Sequence, residues 1–300
     1  MSFSSATREE LCRAVVQKRC CAVAEAYGVL LFCNQFTADG IRILTSSPAF
    51  AERLPKLFKK AFGLSFDDVS DTEVKGKFVF TMSDRAHIAQ IFSAYGYEAG
   101  GTLAHHINLS VLEENCCRAS FLRGAFLAGG SLTDPAKSYH LEFVTDHYSV
   151  SREMVAILLE LGFSPKDISR GGNYVLYFKQ SEAIEDFLTL IGAPLAAMQI
   201  MNAKVEKDMR NAVNRRVNCD SANADKIVSA AAAQLKAIRR IEQTTGLEDL
   251  PEKLYETALL RIANPEASLA DLAALAIPPV SKSCMGHRIC KLMELAGCAH

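Results

Sequence analysis

The alternation of apolar and polar positions repeats along the first two thirds of the chain. An apolar helical segment begins at Cys20-Cys21, and a second begins 96 residues later at Cys116-Cys117. Each is followed by a strand-like run, an amphipathic helix, an alternating strand and a further helix. We therefore predict two copies of an α-β-β-α-β-α unit, at about residues 1–100 and 108–195, packed helix against helix with one continuous sheet on the opposite side.

The boundaries of these elements are marked by residue type. The predicted strands cover residues 41–45 and 75–82 in the first copy and 139–145 and 173–179 in the second. The helix over 48–62 has Ser47 as its cap and Gly63 as its stop, and the helix over 149–161 stops at Gly162. The last helix is predicted to begin at Ser83 in the first copy and at Ser181 in the second.

Each apolar helix has a glycine near its centre, Gly28 in the first copy and Gly124 in the second. An interior glycine costs a helix about 1 kcal/mol relative to alanine. Two glycines at matching positions therefore predict that the two helices approach each other closely at this point, where a larger side chain would separate them.

The last fifty residues have a different, all-helical pattern. Three helices are predicted over residues 251–262, 268–275 and 281–296, with Pro251 in the first turn of the first. Ser268 with Asp271 forms a capping-box pattern, and Ser281 caps the last helix. A short helix, a tight turn and a longer helix is the helix-turn-helix arrangement, in which the last helix enters the major groove of DNA.

The first two turns of that last helix carry the candidate DNA contacts, because such motifs read bases and phosphates there. Ile289, Leu292 and Leu295 are predicted to face the core. The candidate contacts are Ser268, Ser281, Lys282, Ser283, Cys284, Met285, Gly286, His287, Arg288 and Lys291.

Between the repeat and the last three helices lies a segment that we predict to be a helical linker, residues 196–247. Asn214, Asn218 and Asn223 interrupt its helical pattern, and Ser221 or Asn223 is expected to cap a helix over 224–243. Arg215 and Arg216 are candidate phosphate contacts, with a solvated helical face as the alternative.

Composition limits the class of protein. The chain has 300 residues, 49% of them hydrophobic, and a net charge of −1. Its apolar runs are shorter than the roughly 18 residues that a membrane span needs, and its first 20 residues do not resemble a signal peptide. We expect a globular cytoplasmic protein without membrane contact. The near-zero charge argues against coating of nucleic acid but allows a local basic surface.

The ten cysteines are expected to be reduced thiols, since the chain is long and has no leader. Zinc is the alternative, but no C-x-x-C occurs and His105-His106 has no cysteine at ligand spacing. We predict no metal, no cofactor and no small-molecule ligand.

The second apolar helix resembles a known motif. The run from Leu122 to Ser131, LRGAFLAGGS, is similar to the LAGLIDADG helix of homing endonucleases, and the run from Ala26 to Asn34 is a weaker copy. In that family an acidic residue before the final glycine binds the catalytic metal. Cys33 and Gly129 stand at the matching positions, and neither offers the carboxylate oxygen that a hard cation needs. The resemblance therefore implies the fold without nuclease activity; a residual metal-dependent nuclease is the rival hypothesis.

Three further signatures extend the resemblance to essentially the whole chain: residues 138–142 (SYHLE), residues 214–223, and residues 250–254 (LPEKL) with 278–283 (PPVSKS) and His287-Arg288. Together with the helix above, they resemble the WhiA family of Gram-positive regulators. This resemblance implies a degenerate LAGLIDADG domain, a DNA-binding helix-turn-helix, and a part in sporulation or cell division. Gly286 and Cys290 depart from the family pattern, which has an asparagine and a basic residue there, so base preference need not transfer.

We therefore predict an α+β protein with a duplicated LAGLIDADG-like α/β repeat, a saddle-shaped antiparallel sheet and helices on one face, in residues 1–195. The linker and an all-α helix-turn-helix domain, residues 248–300, follow. The expected function is non-enzymatic, nucleoid-associated regulation of transcription through double-stranded promoter DNA, with another regulator or division protein as a further candidate partner. The alternative is a cell-division factor that acts mainly through protein interactions, with DNA binding secondary.

Overall fold

The computed structural model describes residues 2–72, 76–97 and 105–297. The chain forms two compact units, Met1–Asp208 (the first unit) and Met209–His300 (the second unit). The helices of the first unit are α1 (Phe3–Arg13), α2 (Arg19–Leu31), α3 (Pro48–Phe62), α4 (Arg85–Ala94), α5 (Asn115–Gly129), α6 (Tyr148–Glu160) and α7 (Ser181–Ile191). Its strands are β1 (Gln35–Thr37), β2 (Gly40–Thr45), β3 (Asp68–Thr72), β4 (Lys77–Met82), β5 (Gly130–Leu132), β6 (Leu141–Thr145), β7 (Lys166–Arg170) and β8 (Asn173–Phe178).

One long helix, α8 (Pro194–Thr244), begins in the first unit and ends in the second. The second unit continues with α9 (Glu252–Ala263), α10 (Leu269–Leu275) and α11 (Lys282–Leu295). None of the helices in the described part of the chain is long and apolar enough to span a membrane.

The predicted fold class, an antiparallel α+β repeat followed by helices, is confirmed. The strands form two sheets with the same order, β1-β2-β4-β3 and β5-β6-β8-β7, and every pairing is antiparallel. Among the described residues the strands thus belong to two four-stranded sheets, whereas one continuous sheet was expected. Each copy also contains an edge strand that was not predicted, β3 in the first copy and β7 in the second. The residues of β7 are all exposed, so no apolar alternation marks that strand in the sequence.

The central helices α2 and α5 pack directly on each other within the core of the first unit. A Cβ atom added to Gly28 would lie 2.1 Å from the carbonyl oxygen of Phe121, and one added to Gly124 would lie 2.0 Å from that of Glu25. Both distances are shorter than any van der Waals contact. The two glycines therefore permit backbone-to-backbone packing at the point where the sequence places them.

A buried ion pair also joins these helices. Glu25 of α2 is fully buried and accepts a hydrogen bond from Nε of Arg123 on α5, at 2.9 Å. It also accepts from Arg53 of α3, whose Nη2 lies 2.9 Å from the same oxygen, Oε2, and whose Nε lies 2.5 Å from Oε1. A carboxylate removed from water needs such partners, because an unpaired buried charge is strongly destabilising. Sequence patterns did not predict that Glu25 is buried with partners, since Arg53 and Arg123 lie 28 and 98 residues away along the chain.

Several predicted boundaries are confirmed and others are corrected. Ser47 caps α3 and Gly63 ends it with a φ of 77°. The predicted start of α4 at Ser83 is two residues early: the helix begins at Arg85 and is capped by Asp84, whose carboxylate lies 2.7 Å from the Ala86 nitrogen. Of the predicted strand over 75–82, residue Lys75 lies outside the described residues, as do the last three residues of the predicted C-terminal domain, 298–300.

The predicted interruption of the linker is also wrong. Asn214, Asn218 and Asn223 all lie inside α8, and Ser221 caps no helix there. An exposed asparagine inside a helix costs at most about 0.7 kcal/mol relative to alanine. Ending a helix and starting another leaves unsatisfied backbone groups at both ends, so continuing the helix through three exposed asparagines is the less costly solution.

Candidate nucleic-acid interface

The second unit has a single apolar core to which four helices contribute. The buried residues are Ala237, Ile238 and Ile241 of α8, Leu254 and Ala258 of α9, Leu272 and Ala273 of α10 with Ala276 after it, and Met285, Ile289 and Leu292 of α11 with Ala296 after it. This core fixes which face of α11 points inward. The end of α8 thus takes part in packing this unit, in addition to the three helices expected from the sequence.

The two helices α10 and α11 are joined by a short turn. Ser268 and Asp271 form the predicted capping box at the start of α10, with the Ser268 hydroxyl 2.7 Å from the Asp271 carboxylate. The Val280 nitrogen donates to the carbonyl of Ala273 at 3.0 Å, which ties the end of the turn back to α10. The Ile277-Pro278 peptide within this turn is cis.

Helix α11 begins as predicted, with Ser281 as its cap. The Ser281 hydroxyl accepts a hydrogen bond from the Cys284 nitrogen at 3.2 Å. Lys282, Ser283, His287 and Lys291 are exposed, whereas Cys284, Gly286 and Arg288 are half-buried. Ser283, His287 and Lys291 are four residues apart and therefore form one outward row on the helix, opposite the buried residues of the core.

The structure corrects two of the residue assignments in this region and confirms the predicted cap at a third residue. Met285 is fully buried in the core, so the prediction that it contacts DNA is wrong. Leu295, predicted to face inward, is 58% exposed, and Ala296 takes the inward position instead. The hydroxyl and the backbone nitrogen of Ser268 both donate to Asp271, at 2.7 and 3.0 Å. Ser268 therefore acts as a helix cap, as predicted, and its contact with DNA stays a prediction.

Gly286 lies on α11 with free space around it. A Cβ atom added there would meet no heavy atom within 4 Å. Packing within this unit therefore gives no reason for glycine at this position, in contrast to Gly28 and Gly124.

A buried arginine, missed from the sequence, supports the turn that precedes α10. Arg261 of α9 is 1% exposed, and its Nη1 donates to the carbonyl of Ala267 at 2.6 Å. Burial lowers the pKa of this guanidinium, which remains positively charged at neutral pH. Arg261 thus links α9 to the residue before the Ser268 cap.

Two further basic side chains, Arg215 and Arg216, are exposed on α8 within the second unit. Nearer the start of that helix, Lys204 pairs with Glu182, and Lys207 lies over the ring of Tyr139 at 4.8 Å. The structure thus leaves Arg215 and Arg216 accessible as phosphate contacts without testing that role.

Cys33 and Gly129, the two residues predicted to stand in place of metal-binding acids, lie at the ends of the central helices: Cys33 two residues after α2, and Gly129 as the last residue of α5. The Cys33 thiol donates to the carbonyls of Leu30 and Gln35, and burial raises the pKa of this thiol to about 12. A Cβ atom added to Gly129 would lie 2.9 Å from the Val144 carbonyl oxygen and 3.0 Å from the Phe32 ring. A longer side chain at that position would need the surrounding residues to move.

A cleft of about 260 Å³ lies beside Cys33, with Asp146 as the one carboxylate among its described lining residues. Two-metal and paired-carboxylate phosphodiester hydrolysis needs oxygen ligands from both sides of the scissile bond. The first copy supplies no acid to this cleft.

Comparison with protein families agrees with this division of the chain. A model described as the WhiA LAGLIDADG-like domain matches residues 118–210, and one described as the WhiA C-terminal HTH domain matches residues 213–296. Strands β5 to β8, helices α6 and α7, all of α5 except its first three residues, and the whole of α9 to α11 lie within these two ranges.

Comparison with whole proteins gives matches over nearly the full length. The chain is 40% identical to the probable cell division protein WhiA of Ruminiclostridium cellulolyticum, over 99% of this chain and 97% of that protein. It is 38% identical to the protein of the same name in Desulforamulus reducens, over 99% and 95%. The crystal structure of full-length DUF199/WhiA from Thermatoga maritima matches with a TM-score of 0.62 and 26% identity, over 100% of this chain and 99% of that one. Its full-length match to these relatives shows that the chain belongs to the WhiA family.

Proposed function

We propose that this protein is a non-enzymatic regulator of transcription that binds double-stranded promoter DNA through α11. The observation that carries the proposal is the outward row of Ser283, His287 and Lys291, which begins at a capped helix start and lies opposite a fully packed core. Lys282 and Arg288 flank this row. A helix presented in this way after a short helix and a turn is the reading element of helix-turn-helix proteins.

The charges on this surface suit an anionic partner. Lys282, Arg288 and Lys291 are basic, and the first turn of α11 has no acidic residue. The free backbone nitrogens at a helix start add a partial positive charge that favours phosphate. Arg215 and Arg216 on α8 are proposed as additional phosphate contacts. The family names support a part in cell division, and we extend this to sporulation as a proposal.

The absence of catalysis is proposed from Cys33 and Gly129. A thiol is protonated near neutral pH, and burial raises the pKa of Cys33 still further; a neutral thiol is a poor ligand for Mg²⁺. Gly129 has no side chain and no space for one. Neither copy therefore supplies a metal-binding acid at the end of its central helix.

A second candidate function is a protein-interaction role in division, with DNA binding secondary. It is favoured by a row of exposed apolar residues, three or four apart on α8: Met198, Met201, Val205, Met209, Val213 and Val217, each more than half exposed. Exposed apolar surface of this extent is typical of interaction sites. Another regulator or division protein would be the partner.

The test is in vitro selection of duplex DNA from a random pool by the full chain, followed by salt-controlled titration of the selected sequence. If Arg288 contacts a guanine, Arg288→Ala is expected to weaken specific binding by about 1 to 3 kcal/mol. If Lys282 contacts a phosphate, Lys282→Ala should weaken all duplexes alike and reduce the salt slope by about 1.

Lys253→Ala is the matched control for Lys282, because Lys253 is exposed on α9 of the same unit. Selection of no preferred sequence, or unchanged affinity in both α11 variants, would contradict the proposal. If cells that carry these variants still divide like cells with the parent protein, the protein-interaction function is supported instead.

A further inference from the structure

Four cysteines come together at the starts of the two central helices. Cys20 and Cys21 are the second and third residues of α2, and Cys116 and Cys117 are the second and third residues of α5. The sulfur atoms of Cys20, Cys21 and Cys117 all lie within 4.8 Å of one another. The Cys116 thiol is close enough to that of Cys21 for each to change the pKa of the other.

The arrangement follows the internal repeat. Cys21 lies beside Cys116, and Cys117 lies beside Cys20, which are equivalent pairs when the two copies are exchanged. The cluster is formed because the duplicated helices pack side by side with their starts together. Spacing along the sequence did not reveal it, since each copy contributes only one adjacent pair and no C-x-x-C.

Core packing accounts for only half of this cluster. Cys21 and Cys117 are buried, and a buried cysteine commonly serves as a small apolar residue. Cys20 and Cys116 are exposed, so they fill no space in the core.

We propose that Cys20, Cys21, Cys116 and Cys117 form a binding site for a thiophilic metal ion, Zn²⁺ in the first instance, that joins the two copies. Tetrahedral zinc thiolate sites have Zn–S distances of about 2.3 Å, which places the sulfur atoms about 3.8 Å apart. The sulfur atoms of Cys20, Cys21 and Cys117, which lie within 4.8 Å of one another, reach that spacing through small side-chain rotations. Cys116, whose thiol contacts that of Cys21, must rotate toward them to complete the site. Bound zinc displaces the thiol protons and leaves a net charge of about −2 on the complete site.

The surroundings favour that negative charge. Neither α2 nor α5 has a side-chain cap at its start, so the positive ends of both helix dipoles face the cluster without a capping side chain. Lys18 adds a positive charge near Cys116, which the nearby Glu114 carboxylate opposes.

Titration of the reduced, chelator-stripped full chain with Co²⁺ under anaerobic conditions tests this site. We expect one Co²⁺ per chain with sulfur-to-cobalt charge-transfer absorption and the strong visible bands of tetrahedral cobalt, both abolished when Zn²⁺ is added in slight excess. The double variant Cys20→Ser, Cys116→Ser replaces only exposed ligands. It should bind Co²⁺ at least about 10-fold more weakly. Removing a residue that only hydrogen-bonds to a metal ligand already lowers metal affinity by about that factor, and this variant removes two ligands.

The matched control is Cys219→Ser, Cys290→Ser, which replaces two exposed cysteines of the second unit and should bind Co²⁺ like the parent. Equal melting temperatures of the three metal-free proteins would show that folding is unaffected. Zn²⁺ should then raise the melting temperature of the parent and of the control only.

Three results would overturn the proposal. They are absence of the charge-transfer band, its persistence in the Cys20→Ser, Cys116→Ser variant, and its loss in the control. Formation of disulfides among these four cysteines in the presence of excess Zn²⁺ would likewise count against a metal site and favour redox chemistry.

Discussion

Single residues of α11 show where local sequence signals suffice and where they fail. The caps at Ser268 and Ser281 were predictable because a cap bonds to backbone only three residues away. The inward position of Met285 and the outward position of Leu295 were not, since they depend on the rotation of the helix against α8, α9 and α10. Glu25 and Arg261 were missed for a related reason: a charged residue gives no sequence signal that it is buried with a partner.

At the same scale, Gly286→Ala is expected to stabilise the second unit. Alanine is favoured over glycine in a helix by about 1 kcal/mol, and the added Cβ meets nothing within 4 Å. Differential scanning calorimetry of the full chain should show a higher melting temperature for the transition of that unit. An unchanged or lower value would mean that the glycine relieves strain in α11.

The DNA titration described above separates that stability effect from recognition. If Gly286→Ala raises the melting temperature and also weakens binding to the selected duplex, glycine at this position serves close approach to DNA. Unchanged binding would leave the glycine without a role in recognition. In either case the folding effect is measured independently.

Among the elements, the pair α2 and α5 was predicted most completely. Two glycines at matching positions pointed to close helix packing, and the structure places Gly28 against Phe121 and Gly124 against Glu25. The edge strands β3 and β7 were missed, because a polar strand that pairs only at a sheet edge needs no apolar alternation. The unbroken course of α8 was also missed: its asparagines resemble caps locally, and only the continuing backbone hydrogen bonds decide the matter.

Gly28→Ala should strongly destabilise the first unit. Its methyl group would lie 2.1 Å from a backbone oxygen, and backbone, unlike a side chain, cannot rotate away. We expect a loss of about 3 kcal/mol or more in the free energy of unfolding, at the upper end of the usual range for overpacking. Chemical denaturation followed by circular dichroism measures this loss.

Gly40→Ala is the control for that experiment. Its added Cβ would lie 3.6 Å from the nearest described atom, an ordinary contact, so only a small change in stability is expected. Equal losses in the two variants would contradict the close-packing explanation and point to a general effect of replacing glycine.

For the whole molecule, the sequence predicted the fold class and the family, because a duplicated pattern and several ordered signatures are properties of the full chain. The sequence indicates the roles of the two units less clearly than it indicates the fold. A net charge of −1 does not distinguish a DNA-binding protein from a protein-binding one, and the exposed apolar row on α8 became visible only with the burial of each residue.

The whole protein is expected not to cleave duplex DNA in the presence of Mg²⁺ or Mn²⁺, because Cys33 and Gly129 provide no metal-binding oxygen. Supercoiled plasmid and the selected duplex are suitable substrates, with cleavage products resolved on a gel. Nicking that depends on the metal, disappears with chelator and copurifies with the protein through several columns would disprove this prediction. A Gly129→Asp variant is a poor gain-of-function control, since the Val144 carbonyl already occupies the space.

The close packing of α2 on α5 has a consequence for the history of the chain. Each contact along this seam occurs twice, with the copies exchanged: Gly28 lies against Phe121, and Gly124 lies against Glu25. A change on one helix therefore needs a fitting change on the other. This explains why the two copies still have the same residue types at Cys20-Cys21 and Cys116-Cys117 and at Gly28 and Gly124. These positions lie where the copies contact each other, so both copies kept them after the duplication.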